Sequence, residues 1–336
     1  MDLSMQDPSV SWRSEWSDSL PGARTKSVLK ERRELHYGDR IFSLWVRVSA
    51  YSLIGLLALI AGFLLYRAWP AVVTFGWSFV FTSEWDPVRD IYGALPVIFG
   101  TVVSSLIAMC ISVPLSIGIA LFLNELAPRR LARVVGFLIE MLAAIPSVVY
   151  GLWGIFVLAP WLRTVVEPFL AKTLGFLPLF QGPPYGVGML ASGIILAIMI
   201  TPTISSLSRE VFRAIPRSYR EAAMALGATR WETMVISVLK SARSGIMGAT
   251  ILGLGRALGE TMAVTMLIGN RAQISASLFA PAQTMASVIA NEYAEATSDI
   301  HLAALAEVGF VLFVVTFVIN VLARLMVWRM NRRMPA

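Results

Sequence analysis

Length, composition and charge place this chain of 336 residues in a membrane. It is 57% hydrophobic and 15% charged, whereas soluble proteins carry about 25% charged residues. The net charge of +7 does not indicate nucleic-acid binding, because excess Lys and Arg in a membrane protein mark its cytoplasmic loops. The single Cys110 excludes an internal disulfide, and the two histidines lie far apart in sequence. The sequence therefore predicts neither a metal site nor a cofactor.

Five segments are predicted in chain order: a cytoplasmic N-terminal tail at 1–40, a first transmembrane helix at 41–70, a periplasmic segment at 71–95, a membrane core at 96–330 with a cytoplasmic hairpin at about 215–240, and a C-terminal tail at 331–336. The tail turns basic between Arg24 and Arg40. That part is expected to lie on anionic membrane lipid.

Six apolar stretches are each long enough to cross a hydrocarbon core of ~30 Å as an α-helix. They lie at about 42–66, 96–123, 134–159, 185–207, 244–269 and 302–328. Basic residues concentrate in every second connection and near both termini, which places both termini in the cytoplasm. The sequence therefore predicts an all-α integral membrane protein with six transmembrane helices. The proline-rich residues 161–184 are expected to form a re-entrant or surface hairpin.

The fifth stretch carries two charges, Arg256 and Glu260, near the middle of the bilayer. Each charge there costs about 2.5–3.5 kcal/mol, whereas an i,i+4 ion pair in one helix returns only ~0.2–0.5 kcal/mol. Helix stability does not account for them, so both side chains are expected to face a protein interior or a watery path. A structural alternative is a buried ion pair that only locks two helices together.

The connection after the fourth stretch is too strongly patterned for a plain linker. Two capping boxes, each a hydroxyl residue three positions before a glutamate, predict helix starts at Ser218–Glu221 and at Thr229–Glu232. Gly227 lies between them and supplies the left-handed conformation that ends a helix. The sequence therefore predicts a helix, a glycine turn and a second helix on the cytoplasmic face. Ala222 and Ala223 leave room for a partner surface.

Glu221-Ala222-Ala223 followed by Gly227 resembles the loop by which ABC-importer permeases dock on an ATP-binding subunit. The resemblance implies that these four residues form the ATPase-coupling surface. The simpler alternative for Glu221 is a helix cap. After this motif the chain departs from the family, with Ser237 where Ile is usual and Lys240 where Pro is usual.

Four further motifs are similar to those of the phosphate-specific permeases of bacterial ABC importers: Glu84-Trp85-Asp86-Pro87, Asp90-Ile91-Tyr92-Gly93, the stretch 142–151 and the stretch 254–264. The resemblance covers about residues 40–328. It implies a MetI-like type I importer core in the bacterial inner membrane that moves inorganic phosphate. The implied partners are a second related permease subunit, two ATP-binding subunits and an external phosphate-binding protein.

Under this resemblance Arg256, Glu260 and Glu140 are candidate substrate-path residues. Glu140 is expected about six residues into the third stretch, near its cytoplasmic end, where like charge would keep phosphate from lingering. The alternative for Glu140 is a snorkelling or interhelical hydrogen-bonded carboxyl.

The four lysines all follow a residue other than glycine, so the chain lacks the Gly-Lys of a Walker A motif. It is therefore predicted to be a transport subunit and not an enzyme, with ATP hydrolysis by a partner. A sulfate or molybdate permease is an alternative within the same class. A stand-alone ion-coupled carrier is a second alternative, but it would have no need of a docking hairpin. An intramembrane enzyme is a third alternative. The sequence contains neither a His-Glu-x-x-His nor a Gly-x-Ser-x-Gly motif, so a zinc or serine hydrolase is unsupported.

Overall fold

The computed structural model describes residues 36–332, with side chains for 38–329. Expectations for residues 1–35, which include most of the basic segment, and for residues 333–336 lie outside that range. Apart from one isolated bridge between Asp86 and Ile91, the described residues are helical or irregular. The prediction of an all-α protein is thereby confirmed. Among the described residues, those up to Gly62 form one compact unit, and those from Phe63 onward form another.

The α-helices are numbered here in chain order: α1 (His36–Phe75), α2 (Ser78–Phe81), α3 (Leu95–Leu121), α4 (Arg129–Ala143), α5 (Ser147–Trp153), α6 (Ala159–Trp161), α7 (Glu167–Leu174), α8 (Met189–Ala214), α9 (Arg217–Ala225), α10 (Arg230–Thr233), α11 (Arg243–Leu258), α12 (Met262–Leu267), α13 (Met285–Glu292) and α14 (Asp299–Arg332). Wider π turns join several of them, at Phe122–Leu126, Gly154–Leu158, Leu162–Val166 and Met234–Leu239, and a 3₁₀ turn lies at Pro178–Phe180.

Five helical segments of the described chain are long and apolar enough to cross a membrane: Gly38–Phe75, Leu95–Leu126, Ser147–Leu174, Met189–Ala214 and Asp299–Arg329. A sixth results if Arg230–Leu239 and Arg243–Leu258, which meet at a bend of 69°, are counted as one broken span. The predicted number of six therefore holds only with the broken span included.

Helix α8 is the most enclosed of these spans, because 67% of its most apolar 18-residue stretch is buried. Gly193 lets it approach α3, because a Cβ at that position would overlap Ile107. Further along the same contact, the Thr201 hydroxyl donates to Ser112 Oγ at 3.1 Å, and the Ser116 hydroxyl donates to the Thr201 carbonyl at 3.1 Å. Small and hydroxyl-bearing residues are how helices pack closely in a membrane. The pair α3–α8 therefore forms the centre of the second unit.

The predicted third span at 134–159 is wrong, because the helix is interrupted at Ala144–Pro146 and resumes as α5. Pro146 has no N–H to donate to the preceding turn and disfavours helical geometry at Ile145. The apolar segment then runs on through two π turns to Leu174. The predicted proline-rich hairpin at 161–184 is wrong over its first half, because the helical segment continues to Leu174. Pro168 lies in the first turn of α7, where proline is tolerated, and so does not end the segment.

The predicted single helix across 244–269 is also wrong, because α11 ends at Leu258 and α12 begins only at Met262. Gly259 lies in this break, and a glycine costs a helix interior about 1 kcal/mol relative to alanine. Gly269, with a φ of +89°, ends α12. Arg256 and Glu260 are therefore not one turn apart on the same helix.

Candidate functional site

Arg256 lies in the last turn of α11 and is half-buried. Its Nη1 donates a hydrogen bond to Thr203 Oγ1 on α8 at 3.0 Å. Gly253, one turn earlier, makes this contact possible, because a Cβ there would overlap the buried side chain of Ile204. Within residues 38–329, Thr203 is the only hydrogen-bond partner of this guanidinium. Most of its donors are therefore available to another group.

Glu260 lies in the break between α11 and α12 and is half-buried. Its Oε1 is 3.5 Å from the Ala263 amide nitrogen, which is at the outer limit for a hydrogen bond. No ion pair within 4.0 Å joins it to Arg256 in the part of the chain that the structure describes. The two charged residues predicted to line one path thus both lie near the break between α11 and α12, but they do not form an ion pair with each other.

Glu140 lies on the exposed side of α4, before the break at Pro146 and not inside a continuous span. It lines a cavity of about 30 Å³ together with residues of α8 and neighbouring elements: Leu123, Gly136, Ile139, Ser205, Ser206, Arg209, Glu210 and Arg213. Space of this size holds about two water molecules. The structure therefore places Glu140 beside two arginines rather than alone in apolar surroundings.

Sequence reasoning missed three charged residues of this cavity, Arg209, Glu210 and Arg213, because the predicted fourth span stopped at residue 207. Arg209 is the most buried of the three. Its side chain is buried, and Nη2 donates to the Ala132 carbonyl of α4 at 2.8 Å. The guanidinium packs against Gly136, where a Cβ would overlap it. Its Nε is buried and has no hydrogen-bond partner among the described residues. Arg209 therefore holds α4 against α8 at the edge of the cavity.

The hairpin begins with α9, and its start differs from the prediction. The helix starts at Arg217 with Pro216 as the residue before it, and Pro216 cannot cap through a side chain. The capping box predicted at Ser218–Glu221 is therefore wrong. Proline next to the first helical turn is favourable because its fixed φ of about −65° suits a helix start.

The end of α9 is as predicted. Gly227 adopts a φ of +85°. Its N–H donates to the Met224 carbonyl at 3.0 Å, and the Ala228 N–H donates to the Ala223 carbonyl at 3.1 Å. These two bonds form a Schellman motif, which satisfies the last carbonyls of the helix. The predicted left-handed glycine turn is confirmed.

The second capping box is also confirmed. Thr229 Oγ1 accepts from the Glu232 amide at 3.3 Å, and Glu232 Oε2 accepts from the Thr229 amide at 2.8 Å. Helix α10 begins directly after it and passes into the π turn Met234–Leu239. Within that turn, buried Ser237 donates to the Tyr219 carbonyl at 3.1 Å and so ties the two arms of the hairpin together. Ser237, which stands where the family usually has Ile, thus has a structural role.

The hairpin presents its candidate coupling residues outward. Glu221, Ala222 and Gly227 are exposed, and Ala223 is half-buried. Large apolar side chains surround them without cover: Tyr219, Met224, Leu226, Trp231 and Ile236, of which Leu226 is 90% exposed and Trp231 is 68% exposed. An exposed apolar patch that is rimmed by polar residues is typical of an interaction surface.

An ion pair that sequence reasoning missed joins this hairpin to the π turn Phe122–Leu126, which directly follows α3. Arg220 Nη2 lies 2.7 Å from Glu125 Oε1. The two residues are 95 positions apart, so no local pattern in the sequence could have indicated the pair.

The segment before α3 is attached by a polar network. Trp85 Nε1 donates to Glu292 Oε2 at 2.9 Å, and His301 Nε2 lies 3.0 Å from the same oxygen. Tyr92 stacks on His301 with ring centroids 5.3 Å apart and donates to Asp90 Oδ1 at 3.2 Å. Burial, followed by the bond to Asp90, raises the pKa of Tyr92 to about 12. Three of these five residues come from the motifs at 84–87 and 90–93, so those motifs serve attachment here.

Within the described residues no group of three His, Cys, Asp or Glu side chains could hold a metal ion.

Comparison with known proteins identifies the family. The model of the binding-protein-dependent transport system inner membrane component matches residues 112–334. The phosphate transport system permease protein PstC of Mesorhizobium japonicum is 47% identical over 323 residues, which cover 95% of this chain and 98% of that protein. The protein of the same name from Xylella fastidiosa is 48% identical over 320 residues, covering 94% of this chain and 96% of that one.

Among solved structures, a bacterial ABC transporter involved in the import of the acidic polysaccharide alginate has a chain that superposes with a TM-score of 0.58 at 16% identity. The match covers 89% of this chain and 99% of that chain. At this identity the likeness shows the fold alone, which agrees with the predicted ABC-importer permease core. By sequence, this chain belongs to the family of the phosphate transport system permease proteins PstC.

Proposed function

We propose that this chain is the membrane permease subunit of an ATP-driven importer that carries inorganic phosphate across the bacterial cytoplasmic membrane. The observation that carries the proposal is Arg256, a permanently charged group at the end of an apolar helix with one hydrogen-bond partner, Thr203, among the described residues. A guanidinium presents a planar fork of N–H donors that matches two oxygens of a phosphate. Charges in a membrane protein mark substrate pathways.

Thr203 supplies a second kind of contact next to that fork. Its hydroxyl accepts from Arg256 and retains one O–H donor for a phosphate oxygen. The site thus combines a charge with a neutral donor. Conduction requires a site that binds the ion but also releases it, and a single arginine with one hydroxyl meets that requirement better than a closed cage of cations.

Glu260 provides the means of release. In the absence of an ion pair with Arg256, its carboxylate is available to the substrate on the other side of the helix break. Hydrogen phosphate carries a hydroxyl that a carboxylate can accept, whereas sulfate has no such proton. Glu260 therefore weakens the hold of Arg256 on any anion and disfavours sulfate more than phosphate.

The cavity at Glu140 belongs to the cytoplasmic end of the same path. Arg209 and Arg213 attract an anion there, and Glu140 and Glu210 oppose it. Because the four charges cancel, an anion that reaches this point is not retained.

The hairpin couples the path to ATP. The exposed surface formed by Glu221, Ala222, Ala223 and Gly227 docks on one ATP-binding subunit, and the surrounding apolar side chains supply the buried area. This chain has no Gly-Lys pair, so the ATP is hydrolysed by that partner. The complete assembly contains a second related permease subunit, two ATP-binding subunits and an external phosphate-binding protein. Both termini of this chain are cytoplasmic, as the distribution of arginines favours.

The test is uptake by the complete complex reconstituted in lipid vesicles. The wild-type complex is expected to accumulate phosphate only with ATP, and Glu260→Gln is expected to lower uptake and to raise the ratio of sulfate to phosphate transported. An external binding protein would mask the second effect, so the ratio is measured with a complex that works without one. Glu295→Gln, at an exposed position without an ion pair among the described residues, is the matched control for loss of one negative charge. Equal wild-type uptake of sulfate and phosphate in this assay would contradict the proposal.

A further inference from the structure

Arg220 immediately precedes the coupling motif on α9, and its guanidinium is directed to the end of α3. Nη2 lies 2.7 Å from Glu125 Oε1, and Nε lies 3.2 Å from each oxygen of the same carboxylate. The two side chains are only 17% and 14% exposed. A fork of this kind between charged groups is stronger than an ordinary hydrogen bond and fixes the orientation of both partners.

The same guanidinium also binds the end of α8. Nη2 donates to the Phe212 carbonyl at 3.1 Å, and Nη1 donates to the Ile215 carbonyl at 3.0 Å. The last carbonyls of a helix lack partners within the helix, and a cation at this end is favourable both as a donor and as a charge. Arg220 therefore caps α8 while it holds α3.

Glu125 is positioned for this contact by the π turn Phe122–Leu126. The Ala127 N–H donates to the Phe122 carbonyl at 2.8 Å, which widens the last turn of the segment. Asn124 Nδ2 donates to Glu125 Oε1 at 2.7 Å and orients the carboxylate. One arginine of the hairpin is thus joined to the ends of both central helices.

We propose that the Arg220–Glu125 pair transmits movement of the docked hairpin to α3 and α8. Helix α8 carries Thr203, which is bonded to Arg256, so displacement of its cytoplasmic end reaches the candidate phosphate site. Arg220 and Glu125 are positioning residues and do not touch the substrate. This inference rests on the proposed docking role of the hairpin. If Arg220 served only to cap α8, its two carbonyl bonds would suffice and the charge of Glu125 would affect stability alone.

The experiment compares reconstituted complexes that carry Glu125→Gln, Arg220→Lys or Arg217→Gln. Arg217 lies on the same helix, is exposed, and makes no ion pair among the described residues, so Arg217→Gln controls for a single change of charge on α9 that leaves the Arg220–Glu125 pair intact. Three quantities are measured: co-purification of the ATP-binding subunit, the melting temperature, and phosphate taken up per ATP hydrolysed.

Glu125→Gln is expected to retain the ATP-binding subunit but to lower uptake per ATP by about 2- to 30-fold, the range found for changes along a coupling path. Arg220→Lys keeps the charge but loses the fork, and it is expected to fall between Glu125→Gln and the wild type. Arg217→Gln should match the wild type. A lower melting temperature with an unchanged ratio of uptake to hydrolysis, in both Glu125→Gln and Arg220→Lys, would overturn the inference. A wild-type complex that hydrolyses ATP but moves no phosphate would instead contradict the proposed substrate.

Discussion

The hairpin turn at Gly227 and the close contact of α11 with α8 both depend on glycine, but for different reasons. Gly227 needs a positive φ of +85°, and a Cβ there would meet no other atom within 4 Å. Gly253, in the helix before the break, has ordinary helical geometry but would overlap Ile204 if it carried a Cβ. The first glycine is required by the backbone of its own turn, and the second by a neighbouring helix. A local and a tertiary requirement can thus be separated by substitution.

The largest effect is expected for Arg256→Gln, on the tertiary side of this comparison. Loss of charged hydrogen bonds at about 1.5–3 kcal/mol each corresponds to a decrease in phosphate uptake of about 100-fold or more. Assembly is expected to be unchanged, because only the bond to Thr203 is lost within the chain. Uptake by reconstituted vesicles, normalised to the amount of assembled complex, gives the answer. Wild-type uptake would reduce Arg256 to a structural residue.

Gly227→Val should be the most damaging change on the local side. A non-glycine residue in the left-handed region costs roughly 1–2 kcal/mol, and β-branching makes it worse, so the Schellman turn is expected to open. The ATP-binding subunit should then be lost on purification, and ATP-driven uptake should be lost with it. Gly227→Asn is the matched control, because asparagine tolerates this conformation and no neighbour limits its size. If the valine variant keeps the subunit in full, the turn does not shape the docking surface.

Gly253→Ala is expected to have an intermediate effect. The added methyl group meets buried Ile204, and overpacking of this kind costs about 1–3 kcal/mol. Gly248→Ala on the same helix meets nothing within 4 Å and should be neutral or stabilising by about 0.5–1 kcal/mol. Thermal unfolding in detergent measures the difference between the two variants. Equal melting temperatures would show that α11 does not depend on close contact with α8.

Glu140→Gln should produce the smallest change. Removal of one carboxylate leaves Arg209 and Arg213 opposed only by Glu210 at the cavity, so phosphate is expected to stay longer and uptake to slow by about 2- to 5-fold, or ~0.5–1 kcal/mol. Glu210→Gln is the companion variant from the other side of the cavity. If uptake is unaffected in both, the cavity has only a structural role.

Sequence patterns alone were sufficient for much of this protein. The all-α membrane class followed from apolar length, because a backbone in lipid must satisfy its hydrogen bonds within the helix. The turn at Gly227 and the capping box at Thr229–Glu232 were also predictable, because their hydrogen bonds join residues fewer than six positions apart. The prediction of a capping box at Ser218–Glu221 was wrong because the helix begins before Ser218, at Arg217. The residue at the N-cap position is therefore Pro216 and not Ser218.

Tertiary structure decided what depends on distant neighbours. The sequence showed Arg256 and Glu260 four positions apart, and that spacing suggested one helix face, but the chain breaks between them and Arg256 pairs with Thr203 across 53 positions. Likewise Glu125 and Arg220 meet across 95 positions, and the guanidinium of Arg209 fits against α4 because Gly136 has no Cβ to overlap it. From the sequence alone one can identify the charged residues whose burial needs a compensating partner, since burial of charge is penalised wherever it occurs. Which partner relieves that cost depends on how the helices pack, and only the folded chain sets that arrangement.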